Sequence, residues 1–115
     1  MIIVKQFRFD SAHKLNWHNG KCKNLHGHTY KLRVAVEGNI KKNGIVIDFY
    51  ELSTIVKEKI ISKLDHTNLN EKMNNPTAEN ISIWIWNELK PHLNLYEIIL
   101  WETPDSYAIY KGDNS

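Results

Sequence analysis

The chain has one cysteine among its 115 residues, so no disulfide can form within it and an oxidised, stapled scaffold is excluded. No apolar run comes near the ~20 residues that a membrane helix needs. Ile2-Ile3-Val4-Lys5 leads straight into patterned sequence and does not have the layout expected of a secretory leader. Charge of one sign is also scarce: a net +2 is too small to argue for a nucleic-acid partner. No internal repeat and no linker-like stretch divides the chain. These absences predict a single domain over residues 1–115, cytoplasmic, with neither membrane nor nucleic acid among its partners.

What is present is ordinary in amount and uneven in placement. Hydrophobic residues at 42% and charged residues at 24% suit a globular protein with one core. Residues 1–47 hold nine Lys/Arg against two Asp/Glu, whereas the remainder holds six against eleven. Such a split can draw a polyanionic substrate toward one end of the fold, or it can be solvated surface.

Periodicity places the elements. Ile3, Phe7 and Phe9 alternate with Gln6, Arg8 and Asp10 as in a half-buried strand, and His13 shares the parity of the phenylalanines. After a polar loop over 16–24, Tyr30, Leu32, Val34 and Val36 alternate in a second strand. Residues 38–44 read as a turn and Ile45-Val46-Ile47 as a short extended piece. Asp48 followed by Glu51 marks a helix start, with Phe49, Leu52, Val56 and Ile60 at helical spacing to about Leu64. A second helix opens at Asn75-Pro76-Thr77, with proline expected in its first turn, and stops before Pro91. Its apolar residues cover more than one side, Trp86 included, which points to a subunit contact or a covering segment. Tyr96–Trp101 and Tyr107–Tyr110 read as strands. The order ββααββ predicts an α+β fold, a four-stranded, mainly antiparallel sheet with two helices on one face. Its open edges and bare second face favour a homo-oligomer.

Several residue groups carry possible chemistry. On a strand, His26 and His28 point to one side, so both imidazoles can reach one ion, and Gly27 between them would permit close backbone approach. A third imidazole from His13 would leave a fourth position open, as in catalytic zinc. The His-x-His pair alone is equally at home on a surface or in a core. Cys22, between Lys21 and Lys23, is either an activated thiolate or a small buried hydrophobe. Asp65-His66 is either a proton-transferring pair or a helix end. Thr77 and Glu79 suit a helix cap as well as a pocket wall. Glu102 ends an apolar strand, where a carboxylate can accept two parallel hydrogen bonds from a planar amidine-like edge or can simply be a surface acid.

Taken in order, Phe7-Arg8-Phe9-Asp10-Ser11-Ala12-His13, Cys22-x-x-x-His26-Gly27-His28, Gly44-Ile45-Val46-Ile47-Asp48-Phe49, Leu64-Asp65-His66-x-x-Leu69-Asn70, Asn75-Pro76-Thr77-Ala78-Glu79-Asn80 and Glu102-Thr103 form a series. That series is similar to the motifs of the 6-pyruvoyl-tetrahydropterin synthase / 6-carboxy-tetrahydropterin synthase family and spans nearly the whole chain. The resemblance implies the tunnelling fold (T-fold), subunits joined into a barrel, and active sites between subunits. It implies zinc, one per subunit, on His13, His26 and His28. Catalytic roles fall on Cys22, Asp65 and His66, and substrate binding on Glu102, Thr77 and Glu79. Ser11 stands where many members have alanine.

The three residues between Cys22 and His26 resemble the bacterial 6-carboxy-tetrahydropterin synthases of the queuosine (7-deazaguanine) pathway. The resemblance thus implies a lyase that turns 7,8-dihydroneopterin triphosphate into 6-carboxy-5,6,7,8-tetrahydropterin, acetaldehyde and triphosphate. The enzymatic alternative is the 6-pyruvoyl-tetrahydropterin synthase reaction, and the alternative of another class is a non-catalytic metal- or purine-binding module. The lysine-rich first half would attract the triphosphate.

Overall fold

The computed structural model describes residues 1–112. Two twelve-residue strands, β1 (Ile2–His13) and β2 (His26–Glu37), pair antiparallel along their whole length, from Ile2 opposite Glu37 to His13 opposite His26. Their alternation carries Phe7, Phe9, Tyr30, Leu32, Val34 and Val36 into the core, and Phe9 stacks on Tyr30 with ring centroids 5.1 Å apart. β4 (Leu95–Thr103) joins the other side of β2, and β5 (Ser106–Tyr110) pairs with β4 across a tight turn.

One helical rod begins as α1 (Phe49–Val56), passes through a π-helical stretch (Lys57–Ile61) and closes as α2 (Ser62–Leu64). The Asp48 carboxylate caps it by accepting the Tyr50 N–H at 2.7 Å, as its placement before Glu51 predicts. The second long helix, α3 (Ala78–Leu89), is capped by Thr77, whose hydroxyl accepts the Asn80 N–H at 3.1 Å. Leu52, Val56, Ile60, Leu64, Ile81, Ile85 and Leu89 are fully buried against the sheet. Each such side chain contributes about 1.5–3 kcal/mol on burial.

The α+β fold of one sheet and two helices is as expected, and three details differ, while a fourth settles between two expected alternatives. The sheet has five strands, in the order β3-β1-β2-β4-β5, and is mixed, because β3 (Thr67–Asn68) runs parallel to β1 at Ser11 and Ala12. Two residues are too few to leave a periodic pattern. Ile45–Ile47 is not a strand; a local turn, with the Lys41 N–H on the Ile45 carbonyl at 3.0 Å, leads it directly into the Asp48 cap. Pro76 lies one residue outside the helix, since Thr77 is the cap. Trp86, on the second apolar side of α3, is covered by this chain's own C-terminal stretch. Tyr110 meets it edge-on at 5.4 Å, and Gly112, at φ +76°, approaches so closely that a Cβ there would lie 2.5 Å from the indole. Only glycine fits that position.

Candidate metal centre

The register of β1 against β2 sets His13 directly across from His26, with His28 two residues further on the same face. The three rings cluster with centroids 4.7, 4.9 and 5.1 Å apart, and their ligand atoms all lie within 4.8 Å of one another. His13 is fully buried at the floor, while His26 and His28 are half-buried. A Cβ on Gly27 would meet only the Ser11 carbonyl, at an ordinary 3.7 Å. Close backbone approach is therefore not what this glycine provides; it is part of the lining of both cavities described below.

Backbone carbonyls orient two of the rings. His13 Nδ1 lies 2.7 Å from the Pro76 carbonyl oxygen, and His26 Nδ1 lies 2.7 Å from that of Asn24. A neutral imidazole held this way donates from Nδ1 and keeps a lone pair on Nε2. The Nε2 atoms of His13 and His28 are buried without a hydrogen bond. Both lie near Glu102 Oε1, at 3.1 and 3.2 Å, an approach that is attractive only when an imidazole is protonated and that sets a lone pair against the carboxylate when it is neutral. Buried lone pairs left unsatisfied are costly. Three convergent neutral imidazoles with two second-layer carbonyls fit a divalent transition-metal ion, with room for exchangeable ligands.

The electrostatics follow from this packing. Burial works against a charged His13, but the Glu102 carboxylate and the Pro76 carbonyl outweigh it and raise the His13 pKa. His28 meets the same carboxylate yet shifts down, through burial and the neighbouring His13 and His26. The Glu102 pKa is lowered, first by its contact with His13 and then by the charge of the other imidazoles, against the effect of burial. Burial drives the Tyr30 hydroxyl well above its usual range, so it stays protonated beneath His13.

Asp65 and His66 follow the helical rod as a pair, His66 Nδ1 3.0 Å from Asp65 Oδ2. Asp10, a residue without a role in the sequence reading, clamps both: its N–H donates to Asp65 Oδ1 at 2.9 Å, and its carbonyl accepts the His66 N–H at 2.6 Å. The N–H of Asp10, more than the imidazole, holds the Asp65 pKa below the ordinary carboxylate range. His66 adopts φ +58°, a left-handed conformation that costs a non-glycine residue about 1 kcal/mol or more. Pairing of the next residue, Thr67, with Ser11 and a hydrogen bond from the Ser11 hydroxyl to the Leu64 carbonyl hold that turn against β1.

Gly27, His28 and Thr29 separate two cavities. One, of about 560 Å³, is lined by His66 and Asp10; the other, of about 580 Å³, is lined by Glu102, Lys31 and Trp101. Cys22 lines neither. It sits half-buried on a short 3-10 turn (Lys21–Lys23), its carbonyl accepting the Leu15 N–H at 2.7 Å. Asn70 fixes the start of that loop through reciprocal bonds with the Lys14 backbone, and Trp17 ties its middle to Asn75 at 2.8 Å. Thr77 is a helix cap and Glu79 an exposed first-turn acid; they too lie outside both cavities. The Asn75-Pro76-Thr77 stretch reaches the centre instead through the Pro76 carbonyl. A proline carbonyl leaves no signal in a side-chain pattern, which is why sequence reading passes over it.

Residues 2–113 match the family described as 6-pyruvoyl tetrahydropterin synthase. The chain belongs to that family. It is 42% identical to the 6-carboxy-5,6,7,8-tetrahydropterin synthase of Haemophilus influenzae, over 95% of this chain and 97% of the relative. It is also 42% identical to the dihydroneopterin monophosphate aldolase of Pyrococcus furiosus, over 87% of this chain and 88% of that one. Among solved structures, the 6-pyruvoyl tetrahydropterin synthase of Caenorhabditis elegans superposes with a TM-score of 0.88 at 27% identity, covering 98% of this chain and 96% of the other. Membership of this pterin-synthase family makes the chain an enzyme of the lyase type, and the three-imidazole cluster is its candidate metal centre.

Proposed function

We propose that the protein is a zinc-dependent lyase converting 7,8-dihydroneopterin triphosphate and water to 6-carboxy-5,6,7,8-tetrahydropterin, acetaldehyde and triphosphate. The observation that carries this reading is the three-imidazole centre with Glu102 beside it, in a chain so similar over its length to a relative named for that product.

His13, His26 and His28 would hold the zinc, which when bound supplies Lewis acidity toward the substrate's side-chain hydroxyls. Glu102 stays ionised, and once the imidazole lone pairs are engaged its carboxylate is free to accept the two parallel donors of the pterin edge. The ring is thereby oriented with its side chain over the histidines. Cys22 as thiolate and His66, aligned by Asp65, move protons between side chain and ring. Thr77 and Glu79 lie outside both cavities of one chain, so their substrate-binding role is assigned to a pocket completed by a neighbouring subunit. The single domain over residues 1–115 works in the cytoplasm.

Incubating zinc-loaded protein with dihydroneopterin triphosphate is expected to release acetaldehyde and a pterin carrying one carboxylate. A pyruvoyl side chain with no carbon lost would favour the synthase alternative. The aldolase-named relative supports a second reading, carbon–carbon cleavage of a monophosphate ester; preferential turnover of the monophosphate would establish it. Binding without turnover of any of these would leave the non-catalytic module.

The active site is shared between subunits. In one chain the cavity of His66 and that of Glu102 open on different sides of His28, and Cys22 lines neither. Tyr107 and Ile109 are exposed on edge strand β5, as are Phe49 and Tyr50 at the start of α1. Sedimentation is expected to show a closed assembly whose subunit number is a multiple of two or three. A monomer that remains fully active at micromolar concentration would refute a shared site.

A further inference from the structure

Strand pairing sets three side chains in a row on the sheet face away from the helices: Arg8 stands opposite Lys31, and Lys31 opposite Trp101. The Lys31 ammonium lies 4.2 Å from the Trp101 ring centroid. Arg8 is exposed and Lys31 half-buried. Two cations facing each other across a ladder repel. Among the described residues neither has an acid within ion-pair reach, whereas Arg33, next on the same face, is held by Glu97 at 2.8 Å. The nearby acids are committed elsewhere. Asp10 accepts the Thr29 hydroxyl at 2.5 Å, and Glu102 faces His13 and His28.

Arg8 and Lys31 line the 580 Å³ cavity that also holds His28 and Glu102, and an adjoining recess of about 290 Å³ continues past both cations. One cavity is therefore lined both by His28 and Glu102, at the edge of the candidate metal centre, and by an uncompensated pair of positive charges. A polyanion with several oxygens is the ligand that would relieve their repulsion. The guanidinium can bind two oxygens at once, and the lysine, held over the indole, loses little freedom on binding.

We propose that Arg8 and Lys31, positioned with Trp101, form an oligophosphate subsite for the triphosphate chain that the substrate carries or the reaction releases. This rests on the function proposed above for the identity of the anion. Calorimetry on the full-length, zinc-loaded protein tests it with two probes, inorganic triphosphate and phosphate-free neopterin. In Arg8→Gln/Lys31→Gln, triphosphate affinity is expected to fall roughly tenfold or more while neopterin binding persists. Thermal stability should hold or rise, since a repulsive pair is gone. Arg8→Lys, which keeps charge but not the two-pronged geometry, should fall between. If the chain is the substrate's, KM for dihydroneopterin triphosphate rises as well; if it is only the released product, the loss is confined to inhibition by added triphosphate. Wild-type triphosphate affinity in the double variant would overturn the subsite, as would equal loss of both probes. The calorimetric result stands even if no turnover is found, so failure of the subsite and failure of the proposed reaction are separable.

Discussion

Replacing His26 and His28 together with alanine is expected to take bound metal from about one equivalent per chain to near zero. Their removal leaves His13 as the only imidazole of the cluster, and one buried imidazole cannot hold an ion against dialysis. His28→Ala alone should lose most of the metal, since it breaks the pair on β2. Loading should also be sensitive to pH. The ligands bind only when deprotonated, and in the metal-free protein His13 has a pKa raised above 6.5. Protons therefore begin to compete as the pH falls through that raised value, at His13 before His28, whose pKa is lowered. Elemental analysis of dialysed protein across pH, with circular dichroism to confirm the fold, measures both effects. Stoichiometric metal in the double variant would sink the assignment of these residues.

Cys22→Ala is expected to keep metal and pterin binding but to lose roughly two to four orders of magnitude in turnover, the usual weight of a general acid–base group. The competing reading is a packed small side chain. Cys22 is half-buried and reaches neither cavity in the single chain, so that reading predicts nearly normal turnover and a slightly lower melting temperature. Glu102→Gln should behave differently. An amide replaces one acceptor with a donor, so pterin affinity should drop first and turnover as a consequence of poor placement. The same change removes the charge that now lies 3.1 and 3.2 Å from two imidazoles, so the raised pKa of His13 should fall back. Single-turnover rates and pterin affinities on the two variants separate the roles. Near-wild-type chemistry in Cys22→Ala would end the thiolate mechanism while leaving the metal site intact.

Much of this was legible in the chain itself. Alternation in β1 and β2 is a local property, so the parity of Phe7, Phe9 and His13, and of His26, His28, Tyr30 and Leu32, follows from neighbours a few residues away. The caps at Asp48 and Thr77 are local as well, since each serves an N–H only two or three residues on. The motif series led to the family for the same reason: its pieces can be read in order without knowing which strands touch.

What lay beyond the sequence is whatever depends on contacts between distant segments. Nothing local says that β3 joins β1, that Asp10 holds Asp65 and His66 by its backbone, or that the Pro76 carbonyl orients His13 from 63 residues away. The sequence determined by itself the four longer strands, the two helices and their core faces, because the period of a strand or helix is set by its own backbone. Only tertiary structure decided that His13 stands opposite His26 and that Arg8, Lys31 and Trp101 form one row. Those registers come from packing the sheet against the helices, which buries one face of every strand at once.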